Sequence, residues 1–153
     1  MITCARRLRP AAGPARDDRG NAPLELVLIA PIILTLIGLI IAAGRTSIAQ
    51  GAVDAAARAA ARQASLAPTA GAAAQAAFSG AMAALRSDGL DCQPTVSLPG
   101  IGAAFRTPLG QPAQVHARVS CVVRLSDLAV PGVPGSIRLT APFTSPLDPY
   151  RSR

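Results

Sequence analysis

The sequence of 153 residues contains few side chains that can do chemistry, and Glu25 stands out among them. It is the only glutamate, and it directly precedes a run of nineteen uncharged residues from Leu26 to Gly44. A carboxylate in hydrocarbon is costly, but less so near the end of a membrane helix than at its centre. An acid at this position can pair with a cation, although the helix dipole alone also favours an acid in a first turn. The isolation of Glu25 and its spacing of five residues from Gly20 favour a functional role.

The other reactive residues form no recognisable catalytic or metal-binding set. One glutamate leaves few carboxylates for paired acid–base catalysis, and one histidine with three cysteines cannot supply a zinc cluster. His116 falls on the polar side of a predicted strand, with no cysteine or carboxylate at ligand spacing, so we interpret it as solvent-facing. The sequence therefore predicts a protein that is not an enzyme and needs no cofactor or metal.

The basic charge of the chain does not indicate a nucleic-acid partner. The formal net charge is +7, and all fifteen basic residues are arginine. Five of them lie within the first twenty residues, and the other ten are scattered among six acids. Because no arginine run after residue 20 resembles a stripe that follows phosphates, we expect no nucleic-acid binding.

The uncharged run predicts one membrane-spanning helix. Nineteen helical residues extend about 28 Å, close to the thickness of a hydrocarbon core. Pro31 inside the run is compatible with this assignment because membrane helices tolerate proline. The arginine excess before the run predicts a cytoplasmic N-terminus. We therefore expect a single-pass protein of the cell membrane, with residues 45–153 outside the cytoplasm.

A secretory signal peptide is the alternative interpretation of the same segment. Basic residues followed by an apolar run describe such a signal, and Ser47-Ile48-Ala49 offers small residues for cleavage before Gln50. The run is longer than usual, it begins with an acid, and the helical pattern continues past the proposed site. The alternative remains a secreted or single-pass membrane-anchored binding protein with an ordinary signal peptide or anchor.

The N-terminal pattern resembles the processing signal of prepilins. It combines a basic leader, a glycine, an acid five residues later, and a proline and a glycine within the apolar run: Arg19-Gly20, Glu25, Pro31 and Gly38. This longer pattern resembles the TadE-like proteins of Tad pilus systems, which are minor pilins, or pseudopilins. Residues 53–65 resemble the Ala/Arg-rich helix that follows the membrane segment in that family. The resemblance covers about residues 19–65.

The resemblance implies that a prepilin peptidase cleaves the chain after Gly20. The mature chain would then begin at Asn21 and carry an α-amine that is largely cationic at neutral pH. That amine could pair with Glu25 of the same or a neighbouring chain, and such a pair in an apolar bundle mainly fixes register. The implied partners are other pilin or pseudopilin subunits through the membrane helix, the peptidase and the lipid bilayer. The implied location is the cell membrane and a surface pilus.

The periodicity predicts an α+β fold. A long N-terminal transmembrane helix continues into an Ala-rich helix, and a small antiparallel sheet of about three strands follows. We expect five segments: a basic cytoplasmic leader over 1–20, the transmembrane helix and its extension over 21–65, a second helix over 66–88, a small β-rich extracytoplasmic domain over 89–145, and a flexible tail over 146–153. Strands are expected over 95–98, 114–125 and 136–141.

Three details complete the expected outer domain. Asp54, Arg58 and Arg62 share one face of the extended helix, which we interpret as a solvated polar stripe. Phe78, Met82 and Leu85 share one face of the second helix, which Thr69 is expected to cap; we interpret these three as a small core contact. Cys92 and Cys121 both fall in the outer region, where oxidation is allowed, and we favour a disulfide over two buried thiols.

Overall fold

The computed structural model describes residues 22–124 and 135–150, with side chains from Glu25 onwards. Its elements run in the order α1 (Ala22–Leu66), α2 (Ala70–Ser87), β1 (Thr95–Ser97), α3 (Ile101–Arg106), β2 (Ala113–Arg124) and β3 (Ser136–Leu147). The chain divides into two compact units, the first ending at Leu36 and the second beginning at Ile37. A long apolar helix is followed by a second helix and a small sheet, so the predicted α+β class is confirmed.

Helix α1 is long because its 45 residues include many strong helix formers and only one proline beyond the first turn. Pro31 has no N–H to donate to the preceding turn, yet the helix continues through it. The helix ends at Leu66, and Pro68 follows two residues later. A proline disfavours helical backbone at the residue before it, and Ala67 lies outside the helix.

Helix α2 has a defined start and a defined end. The Thr69 hydroxyl accepts a hydrogen bond from the backbone N–H of Ala72 at 3.2 Å, so the predicted N-cap is confirmed. At the other end Gly89 has a φ of +70°, and the N–H of Leu90 donates to the carbonyl of Leu85 at 2.9 Å. This arrangement is a Schellman motif, and its left-handed position suits glycine.

The three strands form one antiparallel sheet in the order β1-β2-β3. The central strand β2 pairs with β1 through Val96↔Val119 and with β3 through Val119↔Ala141. The predicted strands over 95–98 and 114–125 are confirmed to within one residue. The third strand is longer than the predicted 136–141, because it extends to Leu147.

The extension of β3 moves the start of the predicted flexible tail. Pro142 and Pro146 look like strand breakers in the sequence, but both lie within β3. Since β3 is an edge strand of the sheet, a proline there need not remove a hydrogen bond of the ladder. Leu147 is buried, so residues 146 and 147 belong to the sheet and the tail cannot begin before 148.

Helix α3 was not predicted. The sequence around it is rich in proline and glycine and indicates turns, yet residues 101–106 form a short helix. Gly100 precedes it with a φ of +71°, a conformation that favours glycine, and its carbonyl accepts a hydrogen bond from Ala103 at 3.0 Å. A helix of six residues is too short to produce a helical period in the sequence.

The core of the second unit lies between the helices and one face of the sheet. Helix α1 contributes a face built almost entirely of small side chains, which we call the alanine face: Ala49, Ala52, Val53, Ala56, Ala57, Ala60, Ala61 and Ala64. Helix α2 contributes Ala73, Ala77, Ala81 and Leu85. From β2 the alternating residues Val115, Ala117, Val119 and Cys121 are buried, as their period of two predicts.

The predicted core contact of three α2 residues is correct for one of them. Leu85 is buried at 1% exposure, Met82 is partly buried, and Phe78 remains 48% exposed. The small residues of α2 make the closest approach to α1 instead. A side chain added at Gly80 would meet Gln63 at 2.8 Å and the carbonyl oxygen of Ala59 at 3.2 Å. The buried face of α2 is therefore centred on its alanines and Leu85, and not on the three large residues that helical spacing indicated.

Candidate functional site

Glu25 lies in the first turn of α1, and its side chain is exposed on the surface of the single chain. The N-terminal end of a helix carries a partial positive charge, so a carboxylate is favoured there. Gly20 and Asn21, the predicted processing residues, lie outside the described residues. Processing after Gly20 and the pairing of Glu25 therefore stay predictions.

The segment after Glu25 exposes large apolar side chains around its surface. Their exposed fractions lie between 42% and 70%, for Leu26, Val27, Leu28, Ile29, Ile32, Ile33, Leu34, Leu36, Ile37, Leu39, Ile40 and Ile41. A helix that is apolar all round needs a hydrophobic environment, either a core or a membrane. Among the described residues, α1 is the one helix long and apolar enough to cross a bilayer. It is therefore a candidate membrane anchor near the N-terminus.

Two threonines in and near this segment form hydrogen bonds with the helix itself. The Thr35 hydroxyl donates to the carbonyl oxygen of Pro31 at 2.7 Å, and the Thr46 hydroxyl donates to that of Ala42 at 2.8 Å. Such bonds to the preceding turn are common for threonine in helices. They matter in hydrocarbon because a polar group without a partner there costs several kcal/mol. The geometry suits a bilayer environment.

Beyond the apolar segment the same helix presents one polar and one apolar side. Arg58 and Arg62 are exposed and Asp54 is half-buried, in agreement with the predicted solvated stripe. The Gln50 amide donates to the Asp54 carboxylate at 3.2 Å. The opposite side is the alanine face, which is covered by α2 and the sheet. This part of α1 holds the outer elements in place.

Cys92 and Cys121 lie at disulfide distance, with their Cα atoms 6.1 Å apart and a sequence separation of 29. Cys121 is buried in the centre of β2, and Cys92 lies in the connection between α2 and β1. A bond between them would tie the helical part of the second unit to its sheet.

His116 lies on the exposed side of β2. Its Nδ1 is 2.9 Å from the hydroxyl oxygen of Thr144 on the neighbouring strand. The residue is exposed, as the sequence predicts. Within the described ranges no three His, Cys, Asp or Glu residues come close enough together to hold a metal ion.

Comparison with known proteins places the match on the same helix. Residues 20–62 match the family model described as TadE-like protein. No curated protein and no solved structure matches the chain significantly. The matched region begins at Gly20, includes Glu25 and the apolar segment, and ends within the alanine face. It supports a membrane protein related to the Tad pilus, and the family is pilin-like and structural rather than enzymatic. Residues 20–62 are thus similar to the TadE-like family, in agreement with the resemblance found in the sequence.

Proposed function

We propose that this protein is a TadE-like pseudopilin, a membrane-anchored minor subunit that acts in the assembly of a Tad/Flp-type pilus. The observation that supports the proposal is that the family match and the apolar helix cover the same residues. The TadE-like match over residues 20–62 falls on a helix with an acid in its first turn and an exposed apolar surface after it. A subunit of this kind works by assembly through its helix and not by catalysis.

The proposed topology has the leader in the cytoplasm and the sheet outside. The arginine excess within the first twenty residues favours this orientation. The cysteine pair supports it, since disulfides persist in extracytoplasmic compartments and are rare in the cytosol. The proposal keeps the leader over 1–20, the anchoring helix from 21, the second helix over 66–88 and the outer domain from 89.

The proposed processing step is hydrolysis of the bond between Gly20 and Asn21 by a prepilin peptidase. It removes the leader and leaves the α-amine of Asn21 near the cytoplasmic end of the apolar segment. The amine pairs with Glu25 of the same or a neighbouring subunit. Because an unpaired charge in an apolar bundle is costly, the pair fixes the axial position of the subunit among other pilins and pseudopilins.

The structure favours this reading over a signal peptide cleaved after Ala49. Ala49 is 4% exposed and belongs to the core of the second unit. Cleavage there would cut α1 within a continuous helix and detach the first residue of the alanine face. Cleavage after Gly20 leaves the whole alanine face in the mature chain.

The proposal is tested by the mature N-terminus of the membrane-bound protein. The full chain is expressed in cells that process other prepilins, and its N-terminus is determined by intact mass and terminal sequencing. A start at Asn21 is expected. Gly20→Ala should block maturation, whereas Gly13→Ala, a matched change within the leader, should not. A start near Gln50 would identify an ordinary secreted protein, and a retained Met1 would contradict prepilin processing.

The role of Glu25 is tested separately in sheared pilus fractions. Glu25→Gln keeps the size of the side chain and removes its charge, so we expect normal processing with reduced incorporation. Asp54→Asn makes the same chemical change in the later part of α1 and should leave incorporation intact. If Glu25→Gln were incorporated at the wild-type level, the proposed role of Glu25 in fixing register would be rejected.

A further inference from the structure

A second feature lies within the second unit, where α1, β2 and the residues after α2 line an open cavity of about 290 Å³. Its walls combine charged and apolar side chains from separate elements: Arg45 and Ile48 of α1, Asp88 and Leu90 after α2, and Val123 and Arg124 of β2. We call it the arginine cavity.

The charges of the arginine cavity favour an anion. Two arginines and one acidic residue, Asp88, line it, so basic residues are in excess. Arg45 and Arg124 are both exposed and come from positions far apart in sequence. Arginine suits phosphate recognition because its planar group can donate two parallel hydrogen bonds.

The rest of the wall favours a ligand that also has an apolar part. Ile48 is 73% exposed, although it is a large apolar residue beside two arginines. Leu90 and Val123 are partly buried and contribute apolar surface to the same cavity. The volume is far larger than the roughly 30 Å³ of one water molecule, so a phosphodiester and its glycerol can enter.

The position of Arg45 identifies the source of such a ligand. Arg45 directly follows the uncharged run that ends at Gly44. If that run spans the bilayer, as the proposed function requires, Arg45 lies at the depth of the lipid headgroups. Arginine side chains at this depth can donate charge-assisted hydrogen bonds to the phosphate of a lipid headgroup.

We propose that the arginine cavity binds the headgroup of an anionic phospholipid. Arg45 and Arg124 hold the phosphodiester, and Ile48 contacts the glycerol and the upper part of an acyl chain. The lipid keeps its chains in the bilayer while its headgroup occupies the cavity. This inference rests on the proposed membrane anchor and adds a lipid partner outside the cytoplasm. Bound lipid would oppose extraction of the subunit before assembly.

The test uses the full chain in nanodiscs of phosphatidylcholine and phosphatidylglycerol in equal parts. Native mass spectrometry then measures which lipid the released protein retains. Wild type should retain phosphatidylglycerol preferentially. The double variant R45Q/R124Q should lose that preference by roughly tenfold, since each basic residue near a bilayer surface contributes to anionic-lipid binding. Asp88→Asn removes the opposing charge and should raise retention.

The matched control is R118Q/R138Q, which removes two exposed arginines from the polar side of the sheet. It should leave the preference unchanged, and an equal loss in both double variants would overturn the proposal. So would displacement of the lipid by an equal concentration of inorganic phosphate. Should R45Q/R124Q fail to fold, unaltered retention in Asp88→Asn would reject the cavity. A chain absent from the nanodisc fraction would overturn the proposed anchor as well, whereas an inserted chain without preference would overturn this inference alone.

Discussion

At the scale of single residues, small side chains decide how closely the helices of the second unit approach. Gly80 of α2 lies against Gln63 and the backbone of Ala59. An added methyl group there would be closer to both than ordinary van der Waals contact. Glycine therefore avoids a close contact at this position, although it weakens the helix itself.

Gly80→Ala is expected to destabilise the protein relative to Gly71→Ala by about 1–3 kcal/mol, the usual cost of overpacking. Gly71 lies in the same helix, and a side chain added there meets nothing within 4 Å. The midpoint of thermal unfolding, measured for both variants in detergent, checks the difference. Equal stability would mean that Gln63 and the backbone of α1 yield without cost.

At the scale of elements, the sequence predicted the features that depend on neighbouring residues, namely the ends of helices and the buried face of a strand. The boundary of α1 near residue 65 and the start of α2 follow from Pro68 and the Thr69 cap. The buried face of β2 follows from its period of two. The full length of β3 could not be predicted from the sequence. Pro142 and Pro146 fit a strand at the edge of a sheet, and the order of the strands depends on the tertiary fold.

The candidate site shows the same division between local and tertiary information. Glu25 and the apolar segment could be found in the sequence, since both are local. That Arg45 and Arg124 line one cavity could not be found there, because it depends on how the elements of the second unit pack together. No spacing rule connects two residues so far apart in the chain.

Thr69→Ala is expected to lower the free energy of unfolding by about 1 kcal/mol, the usual cost of losing an N-cap. The Thr69 hydroxyl accepts from the N–H of Ala72, which would otherwise lack a partner within the helix. Ser79→Ala is the control. The exposed Ser79 hydroxyl donates to the carbonyl oxygen of Ala76 at 3.0 Å, a carbonyl of its own helix, and caps no backbone N–H. Chemical denaturation should separate the two variants, and equal midpoints would contradict the capping role.

At the scale of the whole molecule, the second unit has a thin core. Its buried side chains are mostly alanine, which contributes little apolar area per residue. A cross-link between the α2–β1 connection and β2 would therefore supply a large part of the stability. The cysteine pair has the position for this role.

Replacing both cysteines, as C92A/C121A, is expected to reduce stability by roughly 3–4 kcal/mol, the loop-closure value for a loop of this length. The third cysteine provides the control, since Cys4 belongs to the proposed leader and Cys4→Ala should have no effect. Unfolding with and without a reductant gives the comparison for the wild type. A wild-type midpoint unaffected by reduction would show that the bond does not form or does not stabilise the domain.

The alanine face has a consequence for how this protein can change. An alanine side chain has no rotamers to lose, so the face packs without a cost in side-chain entropy. The same property leaves little freedom for substitution, because any larger residue must push a neighbouring element away. The exposed apolar segment of α1 has the opposite character, since one aliphatic residue can replace another wherever the surroundings are fluid. One helix thus joins a stretch that tolerates variation to a stretch in which nearly every position is fixed by size.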